Sequence, residues 1–105
     1  MKNVKVQTSY SYREYLIESL KDPEEGASFI EAILEEPDPE PELLRNALRK
    51  VVEARAKMNQ MSEEAKQHHD RLDKLLTESG CAEIYSFVEL LDLLGFRVAV
   101  TVKEC

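Results

Sequence analysis

The chain has 105 residues, of which 43% are hydrophobic and 33% are charged, and its formal net charge is −7 at pH 7. This composition excludes a low-complexity linker, and no apolar run approaches the roughly 20 residues that cross a bilayer, which excludes a membrane-spanning segment. The N-terminus lacks the basic-then-apolar plan of a signal peptide, so we expect a cytoplasmic protein in which Cys81 and Cys105 are free thiols.

The charge is unevenly distributed along the chain. Residues 1–42 contain four Lys or Arg and eleven Asp or Glu, whereas residues 43–80 contain eight and six. An acidic total argues against nucleic-acid binding, but the middle of the chain is mildly basic and does not forbid it.

Both ends of the chain have the alternation of a short strand. Val4 and Val6 alternate with polar residues over residues 2–7, and three valines alternate in the same way over residues 97–103. A strand needs a partner, so either the two termini pair with each other or two C-terminal strands pair across a dimer axis. The alternative is a frayed tail.

Residues 1–40 are predicted to form an N-terminal strand followed by an acidic helical arm. Ser11 and Glu14 have the spacing of a capping box, which predicts a first helix from Ser11. Asp22 followed by Pro23 is typical of a second helix start, with Asp as the cap and Pro where no N–H is needed. Three prolines at alternate positions in residues 36–41 then forbid helix and separate the arm from the rest.

Residues 41–96 are predicted to form the helical core, and residues 97–105 a C-terminal strand or tail. Apolar residues recur at helical spacing in segments 43–56, 59–66, 68–79 and 84–95, and glycines at positions 80 and 95 are typical of helix ends. The fold class predicted from this pattern is all-α, with short terminal β-strands.

Several blocks of the sequence resemble one protein family over most of the chain without a gap. They comprise residues 15–25, 38–48, 58–61, 72–80 and 87–96. They are similar to the probable addiction-module antidote proteins, the antitoxin half of small bacterial toxin–antitoxin pairs in the phage-repressor-like helix-turn-helix superfamily. The resemblance implies that helix 43–57 is the first helix of a DNA-binding domain, 59–66 the second, and 68–79 the recognition helix.

The resemblance also implies a set of DNA-binding residues. Such a recognition helix lies in the major groove with its N-terminal side chains at base edges. Arg71 is the best candidate for a base contact, since its guanidinium can grip a guanine edge. The implied DNA-binding residues are Asn59, Gln60, Gln67, His68, His69, Arg71 and Lys74. The family further implies a homodimer on a two-fold-symmetric operator and a toxin as a second partner.

The residues themselves allow a different arrangement between the second and third segments. The family places a glycine and then an apolar residue in the turn, where this chain has Lys66 and Gln67. Ser62 is a good helix start, and Ala65, Leu72 and the residues between them continue one helical stripe. The alternative is therefore a single helix from about 62 to 79, with no tip to enter a DNA groove.

No pattern of catalytic, cofactor-binding or metal-binding residues is present in the sequence. His68 and His69 point about 100° apart on a helix, which does not suit one metal ion. We therefore expect no enzyme activity, cofactor or metal, and two functions remain. One is a DNA-binding regulator of the antitoxin type. The other is a protein-interaction module that has lost DNA binding and whose acidic arm binds a basic partner such as a toxin, through Glu14, Glu18, Glu24, Glu25, Glu31, Glu35 and Glu36.

Overall fold

A computed structural model describes residues 8–40 and 42–103, and the strand predicted over residues 2–7 lies outside this part of the chain. The described residues form five helices, which confirms the all-α fold class. They are α1 (Thr8–Leu20), α2 (Pro23–Leu34), α3 (Leu43–Lys57), α4 (Glu63–Ser79) and α5 (Ala82–Leu93). None of these helices has both the length and the apolar character needed to cross a membrane.

Local sequence patterns predicted the first residue of α2 correctly but not that of α1. α2 begins as predicted, because the Asp22 carboxylate accepts a hydrogen bond of 3.0 Å from the N–H of Glu24, and Pro23 occupies the first helical position. α1 begins at Thr8, so the prediction of a start at Ser11 is wrong. A residue preceded by three helical residues cannot adopt the extended backbone that a capping residue requires.

Helix α3 lies at the centre of the fold. Ile17 and Leu20 of α1 pack with the fully buried Ala54 of α3, and Phe29 of α2 packs against this cluster. On the surface, Arg13 of α1 makes an ion pair of 2.8 Å with a glutamate of α3. The acidic arm therefore shares its hydrophobic core with the helix that follows the proline segment.

Helix α4 runs antiparallel to α3. A second cluster buries Leu44 of α3, Leu76 of α4 and Cys81, which follows α4. The guanidinium of Arg49 donates two hydrogen bonds, of 2.7 and 2.8 Å, to the two carboxylate oxygens of Asp73. These contacts fix the register of α4 along α3.

The Arg49–Asp73 pair predicts a specific dependence of stability on pH. The hydrogen bonds from Arg49 hold the pKa of Asp73 below its usual range. Because the folded-state pKa is lowered, the stabilisation is present at neutral pH and is lost as the pH falls through the ordinary carboxylate range and the folded pKa. We expect Asp73→Asn to lower the urea midpoint at neutral pH and to lose this effect in acid, where Asp70→Asn serves as the exposed control. If Asp73→Asn lowered the urea midpoint equally at neutral pH and in acid, this explanation would be wrong.

The chain does not turn near Lys66. The Ser62 hydroxyl accepts a hydrogen bond of 3.0 Å from the N–H of Ala65, and the N–H of Lys66 donates to the Ser62 carbonyl at 3.0 Å. α4 then continues without interruption to Ser79. The two helices 59–66 and 68–79 implied by the resemblance are therefore wrong, and the single helix is confirmed. Lys66 and Gln67 stand where the family has a glycine and an apolar residue, and neither of them ends a helix.

The predicted C-terminal strand is absent from the described residues, because residues 97–103 lie along α2 and have no strand beside them there. Their alternation is nevertheless real, since Val98, Val100 and Val102 are half-buried and the residues between them are exposed. The N–H of Val100 donates to the Glu31 carboxylate at 2.9 Å. The Glu31 carboxylate of α2 thus accepts the backbone hydrogen bond that a neighbouring strand would accept in a sheet.

Candidate functional site

Two of the predicted DNA-binding residues end α3 and do not begin a second helix. Asn59 has a left-handed backbone with φ of 57°, and its N–H bonds to the Ala56 carbonyl at 3.0 Å. The N–H of Gln60 bonds to the Arg55 carbonyl at 2.9 Å. This pair of bonds is a Schellman motif, and Asn tolerates its left-handed position. Asn59 therefore has a structural role at the end of α3.

The other predicted DNA-binding residues lie in the interior of α4. Gln67, Arg71 and Lys74 share one exposed row, and His68 lies beside Arg71, with Nδ1 at 3.5 Å from its guanidinium. His69 lies on the other side, where its side chain is 20% exposed and its Nε2 is buried without a partner in the described part of the chain. The structure thus brings four of the seven residues together, away from any helix end.

Acidic residues interrupt the exposed face that carries these cations. Helical spacing places three carboxylates in the same rows as Arg71 and Lys74, namely Glu63, Asp70 and Glu78, and all of them are exposed. A phosphate backbone requires concentrated positive charge, and this face does not provide it. The surface of α4 is therefore mixed in charge.

A different site, which the sequence did not predict, is a groove between the end of α2 and α5. Its volume is about 500 Å³, and the proline segment and the start of the C-terminal segment complete its walls. Five apolar or aromatic side chains line it: Leu34, Tyr85, Val88, Phe96 and Val98. Four carboxylates also line it: Glu35, Glu36, Glu89 and Asp92. The groove therefore combines an apolar lining with acidic side chains.

Two changes of chain direction, one at each end of α5, position this helix as a wall of the groove. Gly80 and Cys81 are both left-handed, with φ of 66° and 65°, so α4 ends and α5 begins within two residues. At the far end, Gly95 has φ of 92° and the N–H of Phe96 bonds to the Leu91 carbonyl at 2.8 Å. This second Schellman motif turns Phe96 and the residues after it back toward α2.

The carboxylates of the groove differ in what they already bind. Arg97 donates to Glu35 at 2.7 Å, and the bond to Glu35 together with the charges of Glu35 and Glu31 raises the pKa of Arg97. Glu36, Glu89 and Asp92 have no ion pair within residues 12–40 and 42–103. Three carboxylates of the groove thus remain for an external cation.

Tyr85 lines the groove and also packs against the cluster of Leu44, Leu76 and Cys81. Its phenol oxygen is buried and has no hydrogen-bond partner among the described residues, and burial raises the pKa of Tyr85. The phenol is therefore neutral at physiological pH, and Tyr85 contributes its aromatic ring to the groove.

Part of this site has a signal in the sequence. Glu89 and Asp92 are three residues apart on α5, and that helix contains three acids and no Lys or Arg. This one-sided charge marks α5 as an acidic surface. Glu35 and Glu36 belong to the acidic arm for which the sequence predicts a basic partner, but the sequence could not place them beside α5, because residues 34–36 meet α5 only through tertiary packing.

Comparisons of the chain with models of known protein families, with curated proteins and with solved structures give no match in any of the three cases. Among the described residues, no three His, Cys, Asp or Glu side chains are placed to hold a metal ion. The function is therefore inferred from the geometry of the groove.

Proposed function

We propose that this chain is a protein-interaction module that binds a basic segment of a partner protein in the groove between α2 and α5. The observation that carries the proposal is the combination of an apolar lining with the unpaired carboxylates of Glu36, Glu89 and Asp92. A volume of about 500 Å³ accommodates several side chains of a bound segment. Apolar contact supplies affinity, and the carboxylates select positive charge.

The chain itself illustrates the chemistry of such a partner. Arg97 lies on the carboxylates of α2, and the valines at positions 98 and 100 follow it with alternate burial. A partner segment in which apolar and basic residues alternate would present the same combination of buried apolar side chains and exposed positive charges. The net charge of −7 would also steer a basic partner toward this protein. The resemblance to antitoxins supplies one such partner, a basic toxin.

The test uses two synthetic peptides of equal composition, one alternating Arg with Val and one with the arginines in a single block. We expect the alternating peptide to bind more tightly in fluorescence anisotropy. The double variant Glu89→Gln and Asp92→Asn should weaken its binding about tenfold, since two partly exposed ion pairs contribute up to about 1 kcal/mol each. The matched control is Glu14→Gln with Glu78→Gln, which removes the same charge from exposed positions on α1 and α4.

Two results would overturn the proposal. If both double variants weaken binding equally, the peptide responds only to net charge and the groove is not the site. If the alternating and the block peptides bind equally well, the apolar lining makes no contribution to recognition.

Operator binding is the second candidate function, and the row of Gln67, Arg71 and Lys74 on one exposed face favours it. Operator binding is less well supported than partner binding in the groove. Because α4 is uninterrupted and acidic residues lie among its cations, α4 presents neither a helix tip nor a basic patch to DNA. The DNA immediately upstream of the coding sequence is the probe, titrated at several salt concentrations. A sequence-specific complex that Arg71→Ala weakens would replace the proposed function.

A further inference from the structure

Helix α5 exposes an apolar stripe on the side opposite the groove. Phe87, Leu90 and Leu94 recur at helical spacing, and Leu93 lies next to Leu90. These four side chains are between 52% and 76% exposed. Together they present on the order of 500 Å² of apolar surface, near the upper end of what the largest patch on a monomer shows. No other described element covers them.

We propose that two copies of this chain pair through this stripe, with the two α5 helices antiparallel about a two-fold axis near Leu90. The inference goes beyond the proposed function, because the groove side chains Tyr85, Val88 and Asp92 lie on the other side of α5. Both surfaces can therefore be occupied at the same time.

The size of the stripe fits a second copy. A stable interface buries about 800 Å² on each partner. The stripe supplies more than half of that area, and its core is wholly apolar, as in homodimers. A two-fold axis near Leu90 makes it self-complementary, since Phe87 of one copy then meets Leu93 and Leu94 of the other.

Charge at one end of the stripe selects the antiparallel arrangement. Glu83 precedes the stripe, and α5 contains no other charge in these rows. An antiparallel pair places the Glu83 side chains of the two copies at opposite ends of the interface. A parallel pair would place Glu83 against its own copy, which is repulsive.

The first measurement is the mass of the full chain in solution by light scattering after gel filtration. We expect twice the 12.1 kDa of one chain. Leu90→Lys is expected to give the single-chain mass, whereas Leu75→Lys, at an exposed position on α4, should leave the dimer intact. Circular dichroism confirms that each variant folds. A single-chain mass for the unaltered protein, or a dimer that Leu90→Lys does not disrupt, would overturn the proposal.

The second measurement establishes the axis and the direction of pairing by disulfide cross-linking in a Cys105→Ser background, where Cys81 is buried. Leu90→Cys should form a covalent dimer on oxidation much faster than Leu75→Cys. Phe87→Cys alone should not, because the two copies of residue 87 are then about 9 Å apart along the helix axes. A mixture of Phe87→Cys and Leu94→Cys chains should cross-link.

These results separate the antiparallel dimer from other occupants of the stripe. Rapid cross-linking of Phe87→Cys with itself would show a parallel pair and would overturn the antiparallel arrangement. Equal rates for Leu90→Cys and Leu75→Cys would show that the stripe does not face its own copy, and would overturn the dimer in favour of a different protein on this surface.

Discussion

Replacement of Gln67 by proline is expected to lower the free energy of unfolding by about 3 kcal/mol or more. Helical geometry gives Gln67 a backbone hydrogen bond to the carbonyl of Glu63, which proline cannot make, and the proline ring would clash with that carbonyl. The effect follows directly from the uninterrupted course of α4 through this position. Urea denaturation followed by circular dichroism at 222 nm measures it.

Glu63→Pro is the matched control for this substitution. Glu63 is the first residue of α4, and Ser62 before it has the extended backbone, with ψ of 162°, that a following proline requires. We expect this variant to lose less than about 1 kcal/mol, because the first helical N–H has no partner in the helix. A helix-turn-helix with its turn at Lys66 would give a different result, since proline at position 67 would then be tolerated nearly as well as at position 63.

Truncation of Leu76 to alanine is the second substitution with a large expected effect. Leu76 is 5% exposed and packs with Leu44 and Cys81, where α3, α4 and the start of α5 meet. Removing its three carbon atoms leaves a cavity, and we expect a loss of about 2 to 5 kcal/mol in the free energy of unfolding. Thermal or urea unfolding gives the value.

The neighbouring leucine supplies the control, because Leu75 is 61% exposed. The same chemical change at Leu75 is expected to cost less than about 1 kcal/mol. The contrast between two adjacent leucines tests the orientation of α4. Equal losses at both positions would mean that α4 is rotated about its axis from the described orientation.

Helix ends were predictable from the sequence where a short local pattern determines them. Asp22 and Ser62 cap α2 and α4, and Gly80 and Gly95 follow α4 and α5 in left-handed conformations. Each of these features depends on hydrogen bonds within about four residues, so the sequence contains all the information that is needed. The same holds for α4, where the local residues indicated one helix and the resemblance indicated two.

The C-terminal segment shows what a sequence pattern leaves undetermined. The alternation of Val98, Val100 and Val102 correctly indicated burial on one side. It could not indicate what covers that side, and the covering element is a helix in place of a strand. Alternation reports the period of burial, whereas the identity of the neighbour depends on tertiary packing.

The groove was unpredictable for the same physical reason. Glu36 and Asp92 lie far apart in sequence and line one groove only because α5 returns to the end of α2. Asn59 carried a local signal of a different kind, which is its preference for a left-handed helix end. The interpretation as a DNA contact followed the resemblance and passed over that conformational preference.

Because Arg97 is tethered to the rest of the chain, it competes for the carboxylates of α2 at an effective concentration on the order of millimolar. A free cation of ordinary affinity is therefore at a disadvantage at Glu31 and Glu35, which Arg97 already occupies. Arg97 is therefore an internal competitor for these two carboxylates. The selectivity for a ligand then depends on Glu36, Glu89 and Asp92. A ligand binds with the highest affinity when the spacing of its positive charges matches these three carboxylates.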